Sequence, residues 1–322
     1  MLRGFLVIAA LLASSAVASA EVTLASARAQ FEAMHNEDAQ RQFELLLAQQ
    51  PDDARLLYYL GRLQLRQYHR QQAVDTLRRA VALQPAVTEY RLSLCEAIGA
   101  YIDDVPFYRK LSLAQDIHRH LEIALANDSR SFNVHDGLMK FYLSAPALIG
   151  GGHDKAVQEA AQIAAIDPAR GHVASGVIAR HDLRYADAES EFRAAAAAAP
   201  ADPLPRYELG RTQLAQQHYD TAFATFEDLM RRFPAETAAY YHGAEVALRS
   251  GQRLDRGGDW LKTYLARGPI RDEDPSMVMA YRLFGKLSEL TEHREAARSA
   301  YRTALQLDPA DTEVARALDK LD

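Results

Sequence analysis

Prolines set the punctuation of this chain. Seven of its twelve, Pro51, Pro85, Pro168, Pro200, Pro234, Pro269 and Pro309, stand at one place in a recurring pattern. Pro51 and Pro85 are 34 residues apart, as are Pro200 and Pro234. Proline lacks an N–H and its ring collides with the preceding turn, so it ends a helix. Each unit therefore reads as a helical segment closed by a fixed stop, and an array of such units must stack to bury a core. A small residue precedes that place in every unit, at Ala27, Gly61, Cys95, Gly137, Gly176, Gly210, Gly243 and Gly285, and in the third unit Ser129 stands there instead of proline.

Aligned on that small residue, further positions repeat. Alanine follows at Ala39, Ala73, Ala156, Ala188, Ala222 and Ala297, with Ile117 and Gly257 as departures. A further residue follows at Phe43, Leu77, Leu121, Ala160, Phe192, Phe226, Leu261 and Tyr301, large and apolar in all units but the fourth. Small residues let two helices approach, and the large one fills the space between them. This constellation resembles the tetratricopeptide repeat (TPR) family, a helix–turn–helix unit of about 34 residues. The resemblance implies an all-α fold, a right-handed superhelix of about eight repeats. They are expected over residues 21–53, 54–87, 88–131, 132–168, 169–202, 203–235, 236–271 and 278–311. A capping helix, 312–322, would cover the exposed end.

Two units break the spacing. The third has ten extra residues between Cys95 and Leu121, in "AYIDDVPFYRKLSLAQ", expected as a long loop between its helices. The fourth has seven extra between Gly137 and Ala156, in "LSAPALIGGGHDKA". Insertions of this kind emerge on one face of a solenoid. A longer connection, "RGPIRDEDPSM", joins the seventh unit to the eighth.

The chain opens on "MLRGFLVIAALLASSAVASA", with Arg3 as a short positive region, an apolar run too short to span a bilayer, and Ala18-Ser19-Ala20. This reads as a signal peptide over residues 1–20, with export to a bacterial periplasm. No later segment is apolar enough for a transmembrane helix. The formal charge of −6 argues against a nucleic-acid partner. Cys95 is the one cysteine and stands where other units place glycine or alanine, which reads as a buried structural thiol.

The loop Pro146, Gly150, Gly151, Gly152, Lys155 lacks the P-loop pattern. It reads first as a sharp reversal that uses positive φ at glycine. The free N–H groups of the following helix leave an anion site as the other reading. There is no H-E-x-x-H, no G-x-S-x-G and no thiolate cluster, and His118 and His120 point apart on a helix. No enzyme, metal or cofactor is expected. Ala145-Pro146, a short apolar run, Gly150-Gly151 and Lys155-Ala156 resemble a loop of periplasmic proteobacterial TPR proteins and of TPR components that accompany TRAP-type solute transporters. That resemblance implies an alternative role, an accessory of solute transport handling an organic ligand, and leaves a homo-oligomer open.

In TPR arrays the first helix of each unit lines the concave groove. Carried over to this chain, the groove positions hold nine basic and five acidic residues. Tyr58, Arg62, Arg66, Tyr142, Arg180, Tyr207, Arg211 and Tyr240 are the candidate contacts. Arginine forks onto carboxylates, and tyrosine gives rigid area with a polar tip. The expected function is a periplasmic interaction scaffold that binds an acidic or carboxylate-bearing protein or peptide. Pairing of these arginines with carboxylates of this same chain is the competing expectation. No asparagine occupies the groove position that marks the eukaryotic carboxylate clamp, so that activity is not carried over.

Overall fold

The computed structural model describes residues 22–321, so the expected signal peptide lies outside the described residues. Those residues form seventeen α-helices and two single 3-10 turns, with no strand among them. The first pair is α1 (Leu24–Glu32) and α2 (Asn36–Gln49), the second α3 (Ala54–Arg66) and α4 (Arg70–Leu83). The third is α5 (Thr88–Tyr101) and α6 (Phe107–Asn127), the fourth α7 (Phe132–Ser144) and α8 (His153–Ile166). Then come α9 (Pro168–His181) with α10 (Tyr185–Ala198), and α11 (Leu204–Ala215) with α12 (Tyr219–Arg232). The last pairs are α13 (Thr237–Ser250) with α14 (Leu254–Arg267), and α15 (Met277–Leu290) with α16 (Arg294–Leu307). Helix α17 (Thr312–Asp319) packs on α16 through Val314 and closes the array.

The small residue of the first helix meets the large residue of the second. A Cβ added to Gly61 would lie 2.6 Å from Leu77, one on Gly176 2.6 Å from Phe192, and one on Gly210 2.7 Å from Phe226. At Gly285 the distance to the Tyr301 ring would be 2.3 Å. These approaches leave no room for a methyl group, so glycine sets how closely each pair packs. Two irregular units use other partners. Gly243 faces Trp260 at 3.0 Å rather than Leu261, and Gly137 faces Leu121 of the preceding unit at 3.0 Å. In the fourth unit, where Ala160 replaces the large residue, the neighbour fills the gap.

Five units share one turn between their helices. Met34, Tyr68, Leu183, Gln217 and Glu292 each adopt φ near +60°, although none is glycine. The next N–H returns to the first helix in every case, for example His69 N to Gln64 O at 2.8 Å and His218 N to Gln213 O at 2.9 Å. The bonds satisfy carbonyls at the helix end and offset the left-handed backbone.

The third unit departs from the expected long loop. Most of its extra residues extend α6 to 21 residues, where α8, α10, α12, α14 and α16 have 14. Nothing between Phe107 and Leu121 stops a helix, so propagation continues beyond the usual start. The extension projects Phe107 and Tyr108 into solvent at 89% and 78% exposure. The fourth unit keeps its insertion as a loop, with a 3-10 turn at Ala147–Ile149 before the glycines.

Cys95 packs with Leu121, Ala124 and Leu138, and its Sγ lies 3.6 Å from the Ile117 carbonyl oxygen. Burial pushes the thiol pKa up to about 12.

Two outcomes follow from this packing. Gly210→Ala lowers stability by about 1–3 kcal/mol through overpacking against Phe226. Gly258→Ala in α14, where nothing lies within 4 Å of the added Cβ, raises it by about 0.5–1 kcal/mol. Urea midpoints for the two variants should move in opposite directions, and a shared direction would contradict the packing account. Cys95 in the native protein should react with a disulfide reagent at pH 8 far more slowly than the same thiol in urea. Equal rates would show that it is not held in the core.

Candidate functional site

The second helix pair carries the first cluster of candidate residues. On α3, Tyr58, Arg62 and Arg66 follow each other at one-turn spacing and share a face. Tyr58 stacks on Tyr90 of α5 with ring centroids 4.8 Å apart. Arg62 donates from Nη1 to the Tyr58 hydroxyl at 3.1 Å, and its guanidinium lies 5.3 Å from the centre of the Phe31 ring. Arg66 sits 3.6 Å over the same ring and donates to the Phe31 carbonyl at 2.7 Å. Both guanidinium groups thus have contacts within α1 and α3.

Their charge partner comes from the far end of the chain. Asp272, in the connection between α14 and α15, accepts from Arg62 on one carboxylate oxygen and from Arg66 on the other. Burial lowers the Arg66 pKa despite that partner. At Arg62 burial acts in the same sense, but Asp272 and Tyr58 more than offset it. Arg62, Leu65, Arg66, Glu96, Ala100 and Asp272 line a cavity of about 220 Å³.

A second cluster runs through α9, α11 and α13. The Arg180 guanidinium pairs with the buried Glu208 carboxylate and lies 5.5 Å from the Phe192 ring centre. Arg211 approaches the other Glu208 oxygen at 3.3 Å. Tyr207 donates from its hydroxyl to His242 Nε2 at 2.8 Å, and His242 Nδ1 donates to Glu245 at 2.8 Å. The carboxylate selects this histidine tautomer. Arg249 adds a bond of 2.6 Å to Glu245. Burial raises the Tyr207 pKa to about 12, so it remains a neutral donor. Burial also raises Glu245, but His242 and Arg249 outweigh it and hold the carboxyl below its ordinary value.

The sequence-derived residues therefore fall into separate groups. Tyr58, Arg62 and Arg66 form one cluster, and Arg180, Tyr207 and Arg211 another. Tyr240 meets the Arg267 guanidinium of α14 at 5.5 Å. Tyr142 belongs to the glycine loop. The arginines do not stand as free cations: Arg62, Arg66, Arg180 and Arg211 each pair with a carboxylate of this chain. The sequence reading left out Asp272, Glu208, His242 and Glu245. The acidic run of residues 272–274 was the available signal for the first.

The glycine loop is a self-contained turn. Gly150 has φ +98°, and a Cβ there would meet the His118 ring at 3.0 Å. A Cβ on Gly151 would fall 1.8 Å from the Ala145 carbonyl oxygen. Gly152 N donates to Tyr142 O at 2.9 Å, and Pro146 O accepts from Gly151 at 3.2 Å. Lys155 Nζ donates to the Gly150 carbonyl at 2.9 Å and lies 5.2 Å from the Tyr142 ring centre. Glycine is required here by the left-handed backbone and by the close carbonyl. His118 stacks on Phe141 at 4.8 Å, whereas His120 turns to Arg91, so the two histidines serve different neighbours.

The family model described as tetratricopeptide repeat matches residues 24–88 and 207–271. These segments take in the first two helix pairs and the sixth and seventh, with both insertions lying between them. A thermophilic TPR protein of Thermus thermophilus has 23% identity to the chain. That match covers 59% of this chain and 97% of the other, with a TM-score of 0.50. Yeast Tom70 is similar over 94% of this chain and 66% of its own length, at 14% identity and a TM-score of 0.64. No curated protein matches in sequence. The tetratricopeptide repeat family is supported by the matched segments and by the shared fold. Such repeats imply a scaffold for protein interaction, and proteins built from them are generally non-catalytic. Among the described residues no helix is long and apolar enough to cross a membrane.

Removing one partner from the Glu208 cluster should be costly. Arg180→Ala leaves the Glu208 carboxylate buried with Arg211 as its remaining partner. A loss of about 2–3 kcal/mol is expected, below the roughly 3–5 kcal/mol of a buried pair broken outright. Denaturant unfolding measures it, and a loss near zero would mean that water or another cation serves Glu208.

Proposed function

We propose that this chain is an exported periplasmic scaffold whose concave groove captures an acidic, carboxylate-bearing segment of a partner protein. The observation that carries the reading is the Arg62–Arg66 pair. Two guanidinium groups, one turn apart, are held by Phe31 and Tyr58 and offer their donors to a single carboxylate. Two charge-assisted bonds to one carboxylate, in a site partly screened from water, discriminate strongly against a neutral amide. Tyr58 and Leu65 supply apolar area beside that anchor. The N-terminal leader read from the sequence supports export.

The alternative, an accessory of a TRAP-type transport system, draws on the same arginines, since a small organic acid also presents a carboxylate. The cavity beside them is about 220 Å³ and carries Glu96 and Asp272 in its wall, which suits a protein side chain better than an apolar ligand.

Affinity recovery of partners from a cell-envelope extract tests the groove. The Arg62→Glu, Arg211→Glu double variant, with native circular dichroism, should recover about tenfold less partner than the wild type, the effect of roughly 1.4 kcal/mol or more. Undiminished recovery would remove the groove from the binding reaction.

A further inference from the structure

The connection between α14 and α15 does more than join two repeats. Its Asp272 meets Arg62 and Arg66 across more than two hundred residues of sequence. A second contact lies beside it, where the Tyr68 hydroxyl of the second unit donates to Ser276 Oγ. The superhelix thus returns on itself, and the seventh-to-eighth connection closes against the concave side of the second unit. The segment is itself held in shape. Arg271 donates to Glu236 at 2.6 and 2.7 Å, and the Asp274 carboxylate accepts from Ile270 N at 2.8 Å and Arg271 N at 3.0 Å. The Tyr264 hydroxyl donates to the Pro275 carbonyl.

Three features mark this contact as a ligand in its site rather than a packed interface. The site has supports of its own, because Phe31 and Tyr58 also hold the two arginines. It is not saturated, because Arg62 Nε is buried with no hydrogen-bond partner. It also carries a like-charge neighbour. Glu96 lines the same cavity as Asp272, and its carboxyl is pushed above the ordinary value by burial and by Asp272 and Glu273, against Arg62 and Lys140. A contact that leaves a donor unused and carries a like-charge neighbour is one that a better ligand can replace.

We propose that residues 271–275, Arg-Asp-Glu-Asp-Pro, are a tethered ligand of the Arg62–Arg66 site, displaced by an acidic protein segment of the same chemistry. This rests on the groove reading given above and adds both its regulation and the form of its ligand. The partner segment presents an aspartate or glutamate side chain that takes both arginines at once. Its binding opens the ring between the second and eighth units. Because the tether is intramolecular, it competes at a high effective concentration, and the closed protein binds external ligand weakly.

The test uses the full chain and a labelled synthetic peptide of this protein's residues 268–277. Fluorescence anisotropy compares wild type with Asp272→Asn, which keeps the side-chain shape and removes the charge. The variant should bind the peptide about tenfold or more tightly than the wild type, as expected when a tethered competitor is removed. Arg66→Gln in the Asp272→Asn background should abolish that gain. Small-angle scattering of the wild type should show expansion at saturating peptide. Equal affinity of wild type and Asp272→Asn would overturn the tether and leave the acidic-peptide groove standing. Binding to neither would overturn both and reduce the contact to a structural clasp. If Asp272→Asn does not fold, Tyr68→Phe loosens the same closure through Ser276 and should raise peptide affinity about threefold, half a decade on the affinity scale. No gain there would equally overturn the proposal.

Discussion

Everything in this molecule depends on how closely the two helices of a unit can approach. Gly61 against Leu77, Gly176 against Phe192, Gly210 against Phe226 and Gly285 against Tyr301 are one contact repeated along the chain. Its geometry sets the angle within each pair, and the angle sets how the next pair stacks. The accumulated rotation carries the seventh-to-eighth connection around to face the second unit. The Asp272 contact with Arg62 and Arg66 is thus a long-range consequence of short-range packing. A change in that packing anywhere between the second and eighth units would alter whether the two ends meet.

The insertions show how such an array tolerates variation. In the third unit the added residues lengthen a helix, because nothing in them interrupts helical propagation. In the fourth they make a loop, because Pro146 and three glycines prevent it. Both changes leave the packing intact: within the third unit Cys95 still packs against Leu121, and between units His118 from α6 supports Gly150 of the loop. The glycine loop therefore sits on its lengthened neighbour. Its lysine and N–H groups are spent within the turn, on the Gly150 carbonyl and on backbone acceptors.

The groove illustrates a limit of reading charge from a list of positions. Counting basic and acidic residues on the first helices singles out Arg62, Arg66, Arg180 and Arg211. It misses their partners, Glu208 on α11, which serves Arg180 of α9 and Arg211 of its own helix, and Asp272 in the connection between α14 and α15. Concave positions of a solenoid face one another across space, so a charge balance taken on one wall omits what the other wall supplies. Two arginines already paired remain a carboxylate site. What the pairing changes is the state in which that site is found.

The fold was legible because it follows from local rules. Proline stops, the spacing of small and large residues and the alanine positions each act within about 34 residues, and the small-to-large contact is kept at Gly61, Gly176, Gly210 and Gly285. The shared left-handed turn was not legible, since Met34, Tyr68, Leu183, Gln217 and Glu292 have no common side chain. Hydrogen bonds back to the preceding helix, and not residue type, select that backbone. The partner of Arg62 and Arg66 was likewise hidden, for a different reason. The sequence by itself determined an all-helical repeat array. Only the tertiary structure decided that Asp272 meets Arg62 and Arg66, because the meeting depends on the summed rotation of the intervening helix pairs and on no single stretch of chain.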